Sequence, residues 1–138
     1  MRFMILVKAN ADSEAGTLPS TEELAEMGRY NEELVKAGVM LAGEGLHASS
    51  KGARVKFSGS ERTVVDGPFT GELLAGFWLI QVKSREEAVE WVRRIPFREG
   101  EVEIRQVAEA ADFAPSDPTG ELMAAEERLR AQVAAQQA

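Results

Sequence analysis

His47 is the only histidine in a chain of 138 residues, and it is the natural candidate for proton transfer because an imidazole titrates near neutral pH. Asp66 stands before Gly67-Pro68. A carboxylate there either orients such an imidazole or closes an Asx-turn onto the following amides. Glu44 is placed on the strand face opposite Gly43 and Gly45, whose missing side chains clear room for close packing or for a ligand. Trp78 is the one aromatic expected to face a cavity, as interface filler or as a pocket wall.

Several chemistries are excluded. With no cysteine there is no disulfide, no thiolate metal site and no thiol nucleophile. Glu44, His47, Asp66 and Glu72 match no HxH, HExxH or DxD-type spacing, so no metal and no cofactor are expected. Gly43-Glu44-Gly45 lacks the third glycine and the following helix of a phosphate loop, and Ser49 and Ser50 have no nucleophile-elbow context. A net charge of −7, with no basic stripe interleaved with aromatics, excludes nucleic acid as a partner. The apolar run after Met1 stops at Lys8, too short for a signal or a membrane span, and a cytoplasmic location is expected. Lys51, Arg54 and Arg105 are candidate anion contacts, although Arg105 shares a strand face with Glu103 and is better used in an ion pair.

These residues need elements to hold them. Residues 2–9 form a short apolar run with β-branched and aromatic members, a strand. Residues 10–19 are small and polar, a loop. Ser20 with Glu23 is a capping box. The helix it opens carries Leu24, Met27, Asn31, Leu34 and Val35 near one face and ends at Gly38. Residues 39–46 are a strand weakened by two glycines. Residues 54–57 and 62–65 flank Ser58-Gly59-Ser60-Glu61 as a hairpin. Residues 76–83 make the strongest strand. Ser84 and Glu87 then form a second capping box, opening a helix that buries Ala88, Trp91, Val92 and Ile95 and stops at Pro96. Residues 102–107 alternate as a last strand, and 121–136 read as a polar, Ala-rich helix.

The order is β-α-β, a hairpin insertion, then β-α-β: an α+β, ferredoxin-like fold with both helices on one face of an antiparallel sheet. Phe3, Ile5 and Val7 point one way and Met4 and Leu6 the other; Phe77 and Leu79 oppose Trp78, Ile80 and Val82. Both faces are apolar and the helices roof only one, so the other calls for a cover larger than a monomer leaves exposed. A second copy, sheet against sheet, is the expected cover.

Asp66-Gly67-Pro68-Phe69, followed by Gly76-Phe77-Trp78-Leu79-Ile80-Gln81-Val82-Lys83-Ser84, resembles the YCII-related proteins of the DGPF type. So do Gly43-Glu44-Gly45-Leu46-His47, Glu86-Glu87-Ala88-Val89-Glu90-Trp91 and Val102-Glu103-Ile104-Arg105-Gln106-Val107, in order from Met1 to about Phe113. The resemblance implies a dimeric α/β barrel, two ferredoxin-like sheets facing each other. It also implies an acid–base role for a His–Asp pair, here His47 and Asp66, and it adds Phe69 and Glu72 to Glu44 and Trp78 as candidate substrate-binding residues. Some proteins of the type it resembles are fused to or encoded beside sigma factors. The chain departs from the pattern at Thr70-Gly71-Glu72-Leu73, which is shorter than the usual stretch after the motif and lacks its lysine. The expected organisation is a domain over 1–113 and a polar helical extension over 114–138. Two functions follow: a homodimer with a small-molecule cavity between its sheets and weak His/Asp acid–base catalysis, or a non-catalytic interaction or regulatory module.

Overall fold

The computed structural model describes residues 1–137, which form two compact units, Met1–Val107 and a second one beginning at Ala108. The first unit opens with strand β1 (Arg2–Lys8), followed by a short helix α1 (Ala11–Glu14) and a long one, α2 (Thr21–Lys36). Next come strand β2 (Met40–Gly45), the hairpin strands β3 (Ala53–Ser58) and β4 (Glu61–Asp66), and strand β5 (Leu74–Gln81). Helix α3 (Arg85–Arg93) and strand β6 (Val102–Gln106) complete the unit. The second unit is a 3-10 segment, Ala110–Ser116, and helix α4 (Glu121–Gln136).

Four strands form one antiparallel sheet in the order β2-β5-β1-β6, while β3 and β4 pair only with each other. That is the ferredoxin-like α+β arrangement with a hairpin inserted between β2 and β5. Helix α2 begins where the Ser20 hydroxyl oxygen accepts from the Glu23 amide and the Glu23 carboxylate accepts from the Ser20 amide, and it ends before Gly38, whose φ of 72° only glycine adopts without strain. Ser84 caps α3 by accepting from the Glu87 amide, but the Glu87 carboxylate accepts from Lys83 rather than from Ser84, so this second box is shifted by one residue.

Strand pairing sorts the sheet's side chains into rows. On the face shared with the helices, Gly43, Trp78, Ile5 and Ile104 lie in register across the four strands, and Met40, Ile80, Phe3 and Gln106 form the next row. Tyr30 and Leu34 of α2, Ala88 of α3 and Ile95 close over them into one buried core. Leu24 and Val35, expected on that buried face, are instead exposed, because the face of α2 that meets the sheet runs through Met27, Tyr30, Asn31 and Leu34. Trp78 belongs to this core. Its indole N–H donates to Asn31 of α2 at 2.9 Å, and its ring lies so close to Gly43 that a Cβ there would meet it at 2.8 Å. The glycine therefore serves packing, and the expectation that Trp78 faces a cavity is corrected: strand alternation puts it under the helices.

The opposite face carries Glu44, Phe77, Leu6 and Glu103 in one row and Ala42, Leu79, Met4 and Arg105 in the next. Each row is apolar in the middle, and of the four ends of the two rows Glu44, Glu103 and Arg105 are charged while Ala42 is not. Met4, Leu6, Phe77 and Leu79 are half-buried and take no part in the core beneath the helices. No helix among the described residues is long and apolar enough to cross a membrane.

Candidate functional site

The residues singled out for chemistry gather at one end of the sheet, where β1 and β2 finish and β5 begins. The Leu46 amide still pairs with Ala75 at 2.8 Å, so β2 is held in the sheet up to the residue before His47. His47 itself is exposed, and its ring makes no hydrogen bond or ion pair among the described residues. A 3-10 turn, Ser49–Lys51, follows directly.

The Asp66-Gly67-Pro68-Phe69 segment docks on that turn. Asp66 is the last residue of β4, opposite Ala53, and is exposed. The Gly67 amide donates to the Gly52 carbonyl at 3.0 Å, and the Phe69 amide donates to Ser49 Oγ at 2.9 Å. A Cβ on Gly67 would overlap the Ser49 carbonyl oxygen, so no other residue fits the approach. The following Gly67-Pro68 peptide is cis. No backbone amide reaches the Asp66 carboxylate among the described residues, so the Asx-turn expected of it does not form; the Gly67 amide goes to Gly52 instead. Phe69 is half-buried, with the Arg54 guanidinium over its ring at 4.0 Å. That stacking is the use of Arg54 here, a cation held on an aromatic face.

Glu14 completes the assembly from the other side. Its carboxylate accepts from the Ser49 amide at 2.9 Å and from the Ser49 hydroxyl. Ser49 Oγ thus accepts from Phe69 and donates to Glu14, linking α1, the turn and the motif in one chain of bonds. The two hydrogen bonds from Ser49, side chain first, hold the Glu14 carboxyl below the usual carboxylate range. Neither Glu14 nor Ser49 was identified from sequence. The 10–19 stretch read as loop contains α1, whose Asn10 cap and Ser13 form a reciprocal capping box. Asn10-x-x-Ser13 was the local signal that could have found the helix. Ser49 had none, because its partner lies 35 residues away.

Glu72, in the short loop after the motif, pairs with Lys8 at the end of β1 at 3.2 Å. Lys8 reaches Glu103 at 3.4 Å, and Glu103 pairs with Arg105 at 3.1 Å, two residues along the same strand. A cation is therefore present beside the short loop although the loop itself has none; β1 supplies it. The Arg105 bond first, and Lys8 second, hold Glu103 below the usual carboxylate range, while Lys8 is raised chiefly by Glu72. Glu44, at the opposite end of its row, is exposed.

The structure thus holds the Asp66–Phe69 segment against the turn that follows His47, and sets Glu44, Glu72, Lys8 and Glu103 along the apolar open face. It places no bond between His47 and Asp66, and removes Trp78 to the other side. Among the described residues no three His, Asp or Glu side chains gather as a metal site would require. Two surface clefts exist elsewhere, one of about 270 Å3 beside Ile95 and Arg98 and one of about 390 Å3 within the second unit, between Ala114, Asp117 and Met123. Neither is lined by these residues. In the second unit the buried Asp117 carboxylate accepts from the Leu122 and Met123 amides, the free donors at the start of α4.

The family described as YCII-related domain matches residues 1–111. No curated protein matches the chain. Among solved structures, one that is similar is a 5-chloro-2-hydroxyhydroquinone dehydrochlorinase from Burkholderia phenoliruptrix AC1100, in complex with 2,5-dihydroxybenzoquinone. It shares 14% identity with a TM-score of 0.41, over 79% of this chain and 95% of the other. The chain belongs to the YCII-related domain family.

Proposed function

We propose that this YCII-related chain works as a homodimer whose two open sheet faces enclose a small-molecule site, with His47 and Asp66 at its mouth as an acid–base pair. One observation carries the reading: the face bearing Met4, Leu6, Phe77 and Leu79 is apolar at its centre, charged at its margins and unused by the core. An apolar centre within a polar rim is the anatomy of a protein interface, and also of a ligand pocket with a few placed polar groups. In this reading Glu44 and Glu72 set the polarity of the two sides and Lys8 supplies a cation for an anionic or hydroxylated ligand. Phe69 offers a ring wall stiffened by Arg54.

The role given to each site residue is modest. His47 moves the proton, being the one side chain whose ordinary pKa suits it at neutral pH. Asp66 orients the imidazole once a ligand or a second chain closes the mouth, since catalytic hydrogen bonds often tighten only in the complex. The test is an NMR titration of the His47 ring in wild type and in Asp66→Asn, at concentrations where the protein is dimeric. Expected is a difference between the two curves, which only a ring in contact with the carboxylate produces. Identical, water-like curves in both would remove the pair.

A second reading, an interaction module, is favoured by one feature: Leu122, Leu129 and Val133 of α4 are all more than half exposed in a unit that is compact by itself. Deletion of 117–138 separates the two. Loss of a protein partner with dimer and ligand binding intact supports the module.

A further inference from the structure

We infer that the Lys8 ammonium is the anion receptor of the site and that Glu72 is its built-in stand-in, displaced when a small organic acid anion with an apolar body binds. The inference rests on the small-molecule site proposed above and names the class of its ligand. Lys8 follows Met4 and Leu6 in the alternation of β1, and its contact with Glu103, which stands in the Leu6 row, puts its ammonium on the open face. The side chain is only 17% exposed. Its stem therefore lies along apolar surface, with Leu6 and Phe77 paired in the adjoining row, while its charged end meets two carboxylates.

Those two carboxylates are not equivalent. Glu103 belongs to strand β6 and pairs with Arg105 at 3.1 Å as well as with Lys8 at 3.4 Å, so the sheet holds it in place. Glu72 belongs to the loop between β4 and β5, and its side chain is 86% exposed. That loop is anchored at Phe69, whose amide donates to Ser49, and at Leu73, whose carbonyl accepts from the Ala9 amide at 2.8 Å. Between the anchors, Thr70, Gly71 and Glu72 make no backbone hydrogen bond among the described residues, and Gly71 turns the chain at a φ of 93°. The 3.2 Å bond to Lys8 is the one polar contact of Glu72 among those residues. A single ion pair with so exposed a partner contributes little, and nothing else has to break for Glu72 to leave.

Charge fixes the sign of what replaces it. Lys8 and Arg105 balance Glu72 and Glu103. Without Glu72 the set carries one excess positive charge, and Lys8 shares its remaining carboxylate with Arg105. A neutral ligand lying there leaves the ammonium short of a partner beside apolar surface; an oxyanion supplies one. The neighbouring Leu6 and Phe77 offer the apolar bed, so the molecule that fits carries both a carboxylate or similar oxyanion and a compact hydrocarbon body.

The experiment titrates benzoate, and benzamide as its neutral counterpart, into full-length wild type, Glu72→Gln, Lys8→Met and the double variant. Amide chemical shifts follow binding, and circular dichroism controls for folding. Benzoate is expected to bind Glu72→Gln about fivefold more tightly than wild type, the effect of removing one exposed competing charge, and Lys8→Met at least about tenfold more weakly. Benzamide should bind wild type and Glu72→Gln alike. In the double variant the gain from Glu72→Gln should vanish, because the ammonium competed for is gone. As a second measurement, which holds even if Lys8→Met does not fold, saturating benzoate should move the Glu72 carboxyl carbon resonance of wild type to the position of a free glutamate side chain. An equal gain for benzamide, a gain that persists without Lys8, or no gain at all overturns the inference. So does a Glu72 carboxyl that bound benzoate leaves unmoved, or a failure of benzoate to bind either wild type or Glu72→Gln at millimolar concentration. Benzoate that binds through Lys8 while the His47 ring stays unperturbed supports the inference and counts against the acid–base pair, so the two fail separately.

Discussion

The two faces of the sheet are made by the same strands with the same alternation, yet only one is finished by the helices of its own unit. Under α2 and α3 the centre of each row is closed over, and Leu34 and Ile80 are sealed from water. On the other side the centre is as apolar, but Met4, Leu6, Phe77 and Leu79 stay half-buried and three of the four row ends are charged. The lesson is that hydrophobic pattern fixes where side chains point, while completion of a core depends on what lies above them. In the proposed reading, a face apolar at its centre and charged at its rim is completed by a ligand or another chain.

The strongest way to break that comparison is to truncate both faces equally. Leu34→Ala or Ile80→Ala is expected to cost about 3 kcal/mol in urea unfolding, because a sealed side chain leaves a cavity. Leu79→Ala, in protein dilute enough to be monomeric, is expected to cost about 1 kcal/mol or less, because its site is already half wet. Equal losses would mean that the open face is a core like the other.

Charging the open face sharpens the point. Leu79→Asp is expected to weaken self-association by about 2 kcal/mol, roughly 30-fold, by placing a carboxylate where apolar surface is to be buried. Sedimentation reads the effect, and the secondary structure of the single chain should be unaffected. Retention of a full-strength dimer would show that association uses another surface.

The closed face can be probed by its one phenol. Tyr30 donates to the Trp91 carbonyl at 2.8 Å, tying α2 to α3, and burial pushes its hydroxyl from 10.0 up to about 12. The folded state then holds the proton more tightly than the unfolded one. This contribution is complete below pH 10 and is lost as pH rises toward 12. Tyr30→Phe is expected to lose about 1 kcal/mol at neutral pH and to flatten the alkaline decline, followed as the urea midpoint between pH 9 and 12.

Most of the fold was legible in sequence because its signals are local. The Ser20–Glu23 box, the Gly38 stop, the hairpin turn and the alternation in β1 and β5 each lie within a few residues. What was missed is non-local or depends on helix phase. Trp78 and Phe77 are neighbours of similar character, and only the position of α2 with its Asn31 decides which is buried with a hydrogen-bond partner. Leu24 and Val35 are as greasy as Leu34, but the axis of α2 turns them outward. His47, Asp66, Phe69, Glu44 and Glu72 were visible as residue types, whereas the Ser49 junction that holds the Phe69 amide joins segments far apart in the chain.

That junction gives the smallest and most local effect. Glu14 is held below its ordinary 4.5 by Ser49, so it binds its proton less tightly in the folded state than in the unfolded one. Its contribution is complete above pH 4.5 and is lost as pH falls through the lower folded value. The pair sits at the surface, so global stability should hardly register the change. The sensitive reporter is the Phe69 amide, whose acceptor is Ser49 Oγ. Ser49→Ala is expected to speed its hydrogen exchange roughly tenfold, as loss of one hydrogen bond to a locally opening segment would, while amides of β1 and β5 keep their rates. Acidification of the wild type through the carboxyl's range should reproduce part of that local loosening, and in the variant, where one of the two bonds to Glu14 is already gone, the pH response should shrink. Faster exchange throughout the sheet would instead make the junction a support of the core, and the separation between the closed face and the site end of the open one would fail there.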